Sequence, residues 1–510
     1  MNDNFSDSQV VRKRVVPTRG GVVAAQHKRA AQVGASVLEA GGDAVDAAVA
    51  TSFAIGVVEP WMSGITAGGA MVLWRAKEQK AYVVDYGMRS PRALNPADYP
   101  LNGGGISVEL YGWPTVKDNR NAQGATAVAV PGVVAGMALA HEKFGRLPWR
   151  ELVLPAIELA REGMQMDWFA GVMVASNARG LAADPDAARM FLEDGRWPML
   201  GSWTATTDKR IDQKKLADSL DTISREGAKA MYGGDLGAAL ARDIRDKGGS
   251  LALEDLAAYR AHFAEPLDIR YRDGRIYAAP GMTSGPGLKH AMELLPKNPR
   301  YVDYAKALQE MWRVRMQTAG DQESCTTHFS IADRHGNLCS VTQTLLSAFG
   351  ARVVSPSTGA VLNNGIMWFD PEPGKPNSLA PGKRTLGNYC PVIVERSKAE
   401  RVALGASGGR RIVGTVLQMA SFLIDDRLSL EEAFHRPRID MSGATPVIAD
   451  QRIPENEMAL LRESYPVRAA RALPFPYAFA VPAAVLRSGE LNMGCTEVMS
   501  PWGDAVSERS

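Results

Sequence analysis

The strand-like runs Thr327–Asp333 and Asn337–Leu345 flank Arg334-His335-Gly336. A three-residue loop of this kind is commonly a type I turn followed by a glycine in the left-handed region, and Gly336 occupies that slot. Closed this way, the loop pairs Asp333 with Asn337, and the register carried along both strands sets Thr326 directly opposite Thr344. Their Cβ atoms are then expected about 4.5–5.5 Å apart. Two hydroxyls would share one face at Cys325-Thr326, where regular strand begins. One reading is plain β-propensity, because cross-strand threonine pairs stabilise sheets. The other is chemical: cleavage of the 325–326 bond makes Thr326 an N-terminal nucleophile. A free α-amino group titrates near ~7.7–8.0 and can serve as its base. The β-branched side chain is stiff, and Thr344 could hold the nucleophile's oxygen in place. The hairpin alone leaves both readings open.

A second candidate is Gly405-Ala406-Ser407-Gly408-Gly409, between the run RVAL and the helical run RRIVGTVLQM. Formally it is G-x-S-x-G in a strand–turn–helix setting, the nucleophile-elbow pattern. A serine hydrolase on Ser407 would need His435 and one of Asp425, Asp426 or Asp440 as partners, all very close downstream. The same glycines could instead pack helix on sheet, or the N–H groups of Gly408 and Gly409 could form an oxyanion hole at a helix N-terminus. Gly281–Lys289 superficially resembles a phosphate loop but lacks the G-K-[ST] ending. The seven histidines show no H-x-x-x-H spacing, so neither a metal nor a cofactor is expected. His328, alternating on its strand, reads as a structural histidine.

The elements that must position these residues can be sketched. Residues 28–41 have helical spacing and end at Gly41-Gly42, and Asp43 caps a second, almost wholly apolar helix that belongs inside a large protein. EPWMSGITAGGAMVLWR and AYVVDYG read as a glycine turn and strands, 97–125 as a long surface loop, and VVAGMALAHEKFG as a helix closed by Gly145. Helices continue to about 265. Beyond 325 short strand runs dominate, GAVLNN among them, and the order suggests layered α and β structure with stacked sheets. The 510 residues allow two to four domains or one large unit. With 58 Lys and Arg against 56 Asp and Glu, 45% hydrophobic residues and 49 glycines, the chain is an ordinary globular one with many tight turns. The balanced charge argues against a nucleic-acid partner. Four cysteines without metal-type spacing and an N-terminus without an apolar signal core suggest a cytoplasmic protein, and no stretch is long enough for a membrane span.

In this order GGDAVDAAVA with VVEPWMSG, AVPGVVAG, CTTHFSIADRHGNLCSVTQTLLSAFG, VLNN, GKRTL and GASGGRRIVGTVLQM run through nearly the whole chain. They resemble the γ-glutamyltranspeptidase family of N-terminal nucleophile hydrolases. The resemblance implies an α+β fold, a four-layer αββα sandwich, built as one chain that cleaves itself before Thr326. The fragments, 1–325 (helix-rich) and 326–510 (β-rich), would share one core as a heterodimer. It implies Thr326 as nucleophile, Thr344 as its partner, Gly408 and Gly409 as oxyanion donors, and a small-molecule amide as substrate. It reduces Ser407 to a turn residue. The departures are equally specific. The family's glutamate-binding arginine aligns with Gly87, two residues before Arg89. Its acidic residue aligns with Trp368, its paired serines with Gly387 and Asn388, and its substrate-side asparagine with Leu346. A tryptophan in place of the acid leaves a buried ammonium unpaired, at a cost of several kcal/mol. The segment before Thr326 is short and 370–382 carries no long lid. The expectation is retained amide-cleaving machinery with altered acyl specificity, resembling the oxamate-amidohydrolase-like branch, with Arg89, Asn388 or Arg410 holding a substrate carboxylate. A γ-glutamyl hydrolase or transferase, and a ligand-binding relative without turnover, are the alternatives.

Overall fold

Alternation decides the layers. In the strand Val22–Ala25, Val23 and Ala25 join one hydrophobic cluster and Val22 and Ala24 another, and all four are buried. A strand buried on both faces must lie between two other layers. The computed structural model describes residues 10–106, 113–201, 208–318, 325–442 and 446–509. Its two main sheets take, in chain order, β1 (Val22–Ala25), β2 (Gly68–Arg75), β3 (Lys80–Tyr86), β4 (His262–Ala264), β5 (Leu267–Tyr271) and β6 (Gly274–Ala278). They continue with β7 (Cys325–Ala332), β8 (Leu338–Leu346), β9 (Val392–Ser397), β10 (Glu400–Ser407), β11 (Val481–Ser488), β12 (Leu491–Thr496) and β13 (Asp504–Ser507).

The first sheet has the order β4-β3-β2-β8-β7-β1-β13 and the second β5-β6-β9-β10-β11-β12, with every neighbouring pair antiparallel. The helices α1 (Lys28–Glu39), α2 (Ala44–Val58), α3 (Val133–Phe144) and α4 (Trp149–Glu162) cover the outer face of the first sheet. The helices α5 (Gly285–Leu294), α6 (Tyr301–Thr318) and α7 (Arg411–Ile424) cover the second. Between the sheets lies a third cluster that includes Val72, Trp74, Val83, Ile393, Ala403 and Val485. The fold is the four-layer αββα sandwich.

The two expected fragments share both main sheets. Residues before 325 supply four strands to the first sheet and two to the second, and β7, β8 and β13 sit among them. GAVLNN forms no strand: Val361 makes a single bridge to Val354, and a 3-10 turn follows at Gly365–Trp368. Within 97–125, Leu101–Ile106 pairs with Pro114–Val116; residues 107–112, like 1–9 and the 319–324 stretch before the candidate nucleophile, lie outside the described residues. No helix among the described residues is long and apolar enough to cross a membrane.

The helix α2 fixes the site from behind. Asp43 caps it, its side chain accepting from the N–H groups of Val45 and Asp46, while Asp46 returns a bond to the Asp43 N–H. All fifteen residues are buried, as expected for a helix apolar on every side. One of its polar side chains ties it to the hairpin: Ser52 donates to Gln343 Oε1 at 2.7 Å, and Gln343 Nε2 returns to the Ser52 carbonyl at 3.1 Å.

Candidate active site

The turn at the far end of the hairpin forms as its residues dictate. The Asp333 N–H reaches the Asn337 carbonyl at 3.0 Å, Gly336 has φ +83°, and Asp333 Oδ1 collects the N–H groups of His335 and Asn337. Its Oδ2 accepts from the Ala44 N–H, pinning the hairpin tip to the start of α2. The predicted register then holds from Ala332↔Leu338 to Thr327↔Gln343 and breaks one residue short of the site. Cys325 pairs with Leu346, so Thr326 stands at an irregular step and not squarely opposite Thr344. The cause is on β8: the Leu346 N–H folds back onto Thr344 Oγ1 at 2.8 Å, and Leu346 adopts φ +90°. A buried leucine in that region is strained by about 1–3 kcal/mol, of the kind found at functional sites.

Thr326 is 1% exposed, and its hydroxyl makes no hydrogen bond among the described residues. It shares the parity of His328 and Ser330, whose side chains enter the space between the sheets. There the layers meet closely. A Cβ on Gly405 would lie 2.4 Å from the His328 ring, Ser330 Oγ reaches the Ala483 carbonyl at 3.3 Å, and Ser340 Oγ the Leu404 carbonyl at 2.8 Å. Moving from Ser330 to Thr326 and from Leu404 to Ser407 therefore leads to the same edge of the sandwich. That edge joins Thr326 to the turn Gly408-Gly409, which opens α7. Gly408 has φ +125° and Gly409 φ +63°, so both need glycine. Among the described residues neither amide donates a hydrogen bond, which leaves two N–H groups at a helix N-terminus for a developing oxyanion.

His328 is a structural residue, as expected: its ring bonds Thr342 Oγ1 at 2.8 Å and Ser330 Oγ at 3.0 Å, and burial pushes its pKa down to about 3. Among the described residues none of the partners expected for Ser407 reaches it. It accepts from Gln26 Nε2, while His435 is occupied by the Lys13 N–H and the Glu431 carbonyl. Asp425 bonds Tyr271, Arg272 and Ser421, Asp426 pairs with Arg436, and Asp440 with Arg411 and Ser442.

Sequence reasoning missed Glu59, at the end of α2. The Thr327 hydroxyl donates to Glu59 Oε2 at 2.7 Å and lies 3.4 Å from Gln26 Oε1, while Gln26 Nε2 reaches Ser407 and the Val481 carbonyl. One buried chain thus links the residue after Thr326 to the residue before the Gly408-Gly409 turn. Burial raises the Glu59 carboxyl to about 8, against the opposing effect of the Thr327 bond. An acid with a raised folded pKa gives its full stability below the unfolded value near 4.5, and loses it as pH rises toward 8. Glu59→Gln removes that titration. Thermal melts at pH 5 and pH 8.5 should show wild type losing more stability than the variant, by an amount on the order of a few kcal/mol. Parallel pH dependences would contradict the assignment.

Comparison with known proteins decides the family. The family described as Gamma-glutamyltranspeptidase matches residues 30–323 and 300–468. The chain belongs to this family. It is 34% identical to the Acylase ACY 1 proenzyme of Pseudomonas sp. (strain SE83) over 485 residues, 85% of each chain. Against the Glutathione hydrolase proenzyme of Bacillus subtilis (strain 168) it is 28% identical, covering 88% of this chain and 85% of the relative. The fold is shared with cephalosporin acylase from Bacillus halodurans at a TM-score of 0.86 and 24% identity, over the whole of both chains.

The positions that the resemblance matched to the family's acyl-binding residues, Gly87, Gly387 and Trp368, stand around one side chain, Tyr389. A Cβ on Gly87, the arginine slot, would fall 2.4 Å from Tyr389 Oη and 2.8 Å from Arg384 Nη2. A Cβ on Gly387, a serine slot, would fall 2.1 Å from the Tyr389 ring. Trp368, in the acidic slot, packs edge-on against Tyr389 with centroids 6.1 Å apart. Glycine at both positions is thus the condition for a tyrosine between them. Leu346, the asparagine slot, is buried in the same cluster. The other expected ligands are placed differently. Asn388 Oδ1 accepts from Arg315 Nη2 at 3.0 Å. Arg410 is buried with its guanidinium 5.4 Å from the Trp312 ring centroid. Arg89 is half-buried, its backbone bridged to Val130 and Arg384, and among the described residues its guanidinium makes no ion pair. The loop Gly281–Lys289 that superficially resembled a phosphate site is instead the backing of this segment. Met282 O accepts from the Gly387 N–H at 2.8 Å, and the Ser284 N–H donates to Tyr389 O at 3.1 Å.

Proposed function

We propose that this protein is an autoprocessed threonine amidohydrolase whose acyl pocket excludes the γ-glutamyl group. Maturation begins when Thr326 Oγ attacks the Cys325 carbonyl carbon. The acyl group moves from nitrogen to oxygen, and water hydrolyses the ester. The products are fragments of 325 and 185 residues held in one core, the second beginning with a free amine at Thr326. In turnover that amine takes the hydroxyl proton as Oγ attacks an amide carbon, and then passes it to the departing amine. The Gly408 and Gly409 N–H groups hold the oxyanion, and water resolves the acyl-enzyme. The proenzyme names of the acylase and glutathione hydrolase relatives support the processing step.

The observation that carries the altered specificity is Tyr389, whose ring and hydroxyl occupy the space next to Gly87 and Gly387. A glutamate zwitterion needs a carboxylate for its ammonium and finds Trp368 there, so binding it would leave the charge unpaired and desolvated. The name of the acylase relative supports the amide-cleaving reading and leaves the acyl group to the pocket. Hydrolysis of γ-glutamyl anilide is expected to run at least ~100-fold below that of the best amide lacking an α-ammonium, measured as kcat/KM. A γ-glutamyl substrate equal to or better than those amides would contradict the proposal.

A further inference from the structure

One buried side chain ties the two sheets together beside the candidate site. Gln26 directly follows β1 in the first sheet, and its amide reaches the second. Nε2 donates to Ser407 Oγ at the end of β10, and to the Val481 carbonyl at the start of β11 at 3.0 Å. A backbone carbonyl can only accept, so the amide nitrogen must face Val481 and the oxygen the other way. That oxygen lies 3.4 Å from Thr327 Oγ1, whose hydroxyl Glu59 holds at 2.7 Å. Ser407 and Val481 are paired across β10 and β11. The residues next to them, Gly408 and Ala480, meet closely: a Cβ on Gly408 would lie 3.0 Å from Ala480 Cα. Gln26 thus grips both strands where they border that contact, while its oxygen faces the residue after Thr326. Two further ties between the sheets, Ser330 to the Ala483 carbonyl and Ser340 to the Leu404 carbonyl, join residues farther from the turn.

We infer that Gln26 is a positioning residue for the amide chemistry, fixing the strand that carries Thr326 against the turn that carries the Gly408 and Gly409 N–H groups. The inference rests on the Thr326 reading above and adds a residue which that reading does not contain. The need arises from the fold. Thr326 is on β7 in the first sheet, and the turn follows β10 in the second, so nucleophile and oxyanion donors belong to different layers. Apolar packing between the layers is non-directional. An amide with its nitrogen and its oxygen both engaged allows far fewer arrangements. Glycines at 408 and 409 leave the turn adaptable, so it has to be held from outside. A displacement of about 1 Å at a reacting centre can cost ~10²-fold in rate. That loss falls on the transition state, where the oxygen first carries the charge those N–H groups meet. Removing the Ser407 hydroxyl alone leaves the Val481 bond and the Thr327 contact in place, so Gln26 is the residue to change.

The test is steady-state hydrolysis of oxamate, acetanilide and glutaryl anilide by the self-cleaved enzyme, using whichever the wild type cleaves fastest. Gln26→Met keeps the length of the side chain and removes its hydrogen bonds. Its kcat per cut molecule should fall ~10–100-fold, with KM changed less than about threefold. Gln26→Glu separates positioning from packing. With its proton the new carboxyl can still donate to the Val481 carbonyl; without it, the group can only accept. Its kcat relative to wild type should therefore fall as pH rises from about 6 to 9, the range in which a buried glutamate titrates. The Gln26→Met ratio should stay flat over the same range. Two bands on a denaturing gel report that a variant has folded and cut itself; if Gln26→Met gives one band, Gln26→Glu matured at the acidic end decides alone. If wild type cleaves none of the amides, the half-time of self-cleavage takes the place of kcat and should lengthen to the same degree. A Gln26→Met rate within a few-fold of wild type, a loss confined to KM, or a flat Gln26→Glu ratio overturns the assignment. Cleavage or hydrolysis that survives in Thr326→Ala overturns the underlying reading instead.

Discussion

Thr326→Ala is expected to leave a single uncut chain and to abolish hydrolysis, by at least ~10⁴-fold in kcat. Both effects come from one atom. Before cleavage Oγ must attack the preceding carbonyl, and after it the same oxygen must attack substrate. The alanine variant should keep its melting behaviour, since a 1% exposed hydroxyl without a bonding partner among the described residues contributes little to packing. Thr326→Ser should still cut itself, more slowly, because serine keeps the hydroxyl but loses the β-branching that fixes it. Ser407→Ala should be cut like wild type, since Ser407 only receives a bond from Gln26. Activity surviving in Thr326→Ala would move the chemistry elsewhere.

Gly408→Ala is expected to lower kcat ~10²–10³-fold, with a smaller change in KM. At φ +125° an alanine is strained, and its Cβ would meet Ala480 Cα at 3.0 Å and Ala480 Cβ at 3.2 Å. The turn must shift to relieve this, carrying its N–H groups away from the oxyanion position. The loss falls on the transition state because the charge those groups meet exists only there. The variant should stay folded, because a turn can adjust where a packed strand cannot. Self-cleavage should slow alongside hydrolysis if the same N–H groups serve both carbonyls, which time-resolved gels would read. A kcat within a few-fold of wild type would remove Gly408 from the oxyanion hole.

Much of this site was legible in the residues. Asp333 to Asn337 contain their own turn chemistry, so the hairpin and most of its register follow from local rules. The glycines at 408 and 409 stand where strand gives way to helix, as the pattern suggested. The register failed one residue before Thr326 because Leu346 takes a positive φ, which no propensity for leucine would suggest. Tyr389 was invisible for a different reason. Its role depends on the space beside Gly87 and Gly387, which lie 300 positions apart in the chain and meet only in the fold. Glu59 was hidden as well: VVEPW gives no sign that its carboxyl is buried and bound to Thr327.

The central claim is that one chain becomes two at Thr326 and that the new N-terminus carries the acyl group. Intact mass spectrometry of the purified protein, before and after brief exposure to an amide substrate and acid quench, tests both parts. The account predicts masses for residues 1–325 and 326–510, with the acyl increment on the second alone and mapping to Thr326. A full-length mass, a different cleavage point, or an increment on Ser407 would contradict it.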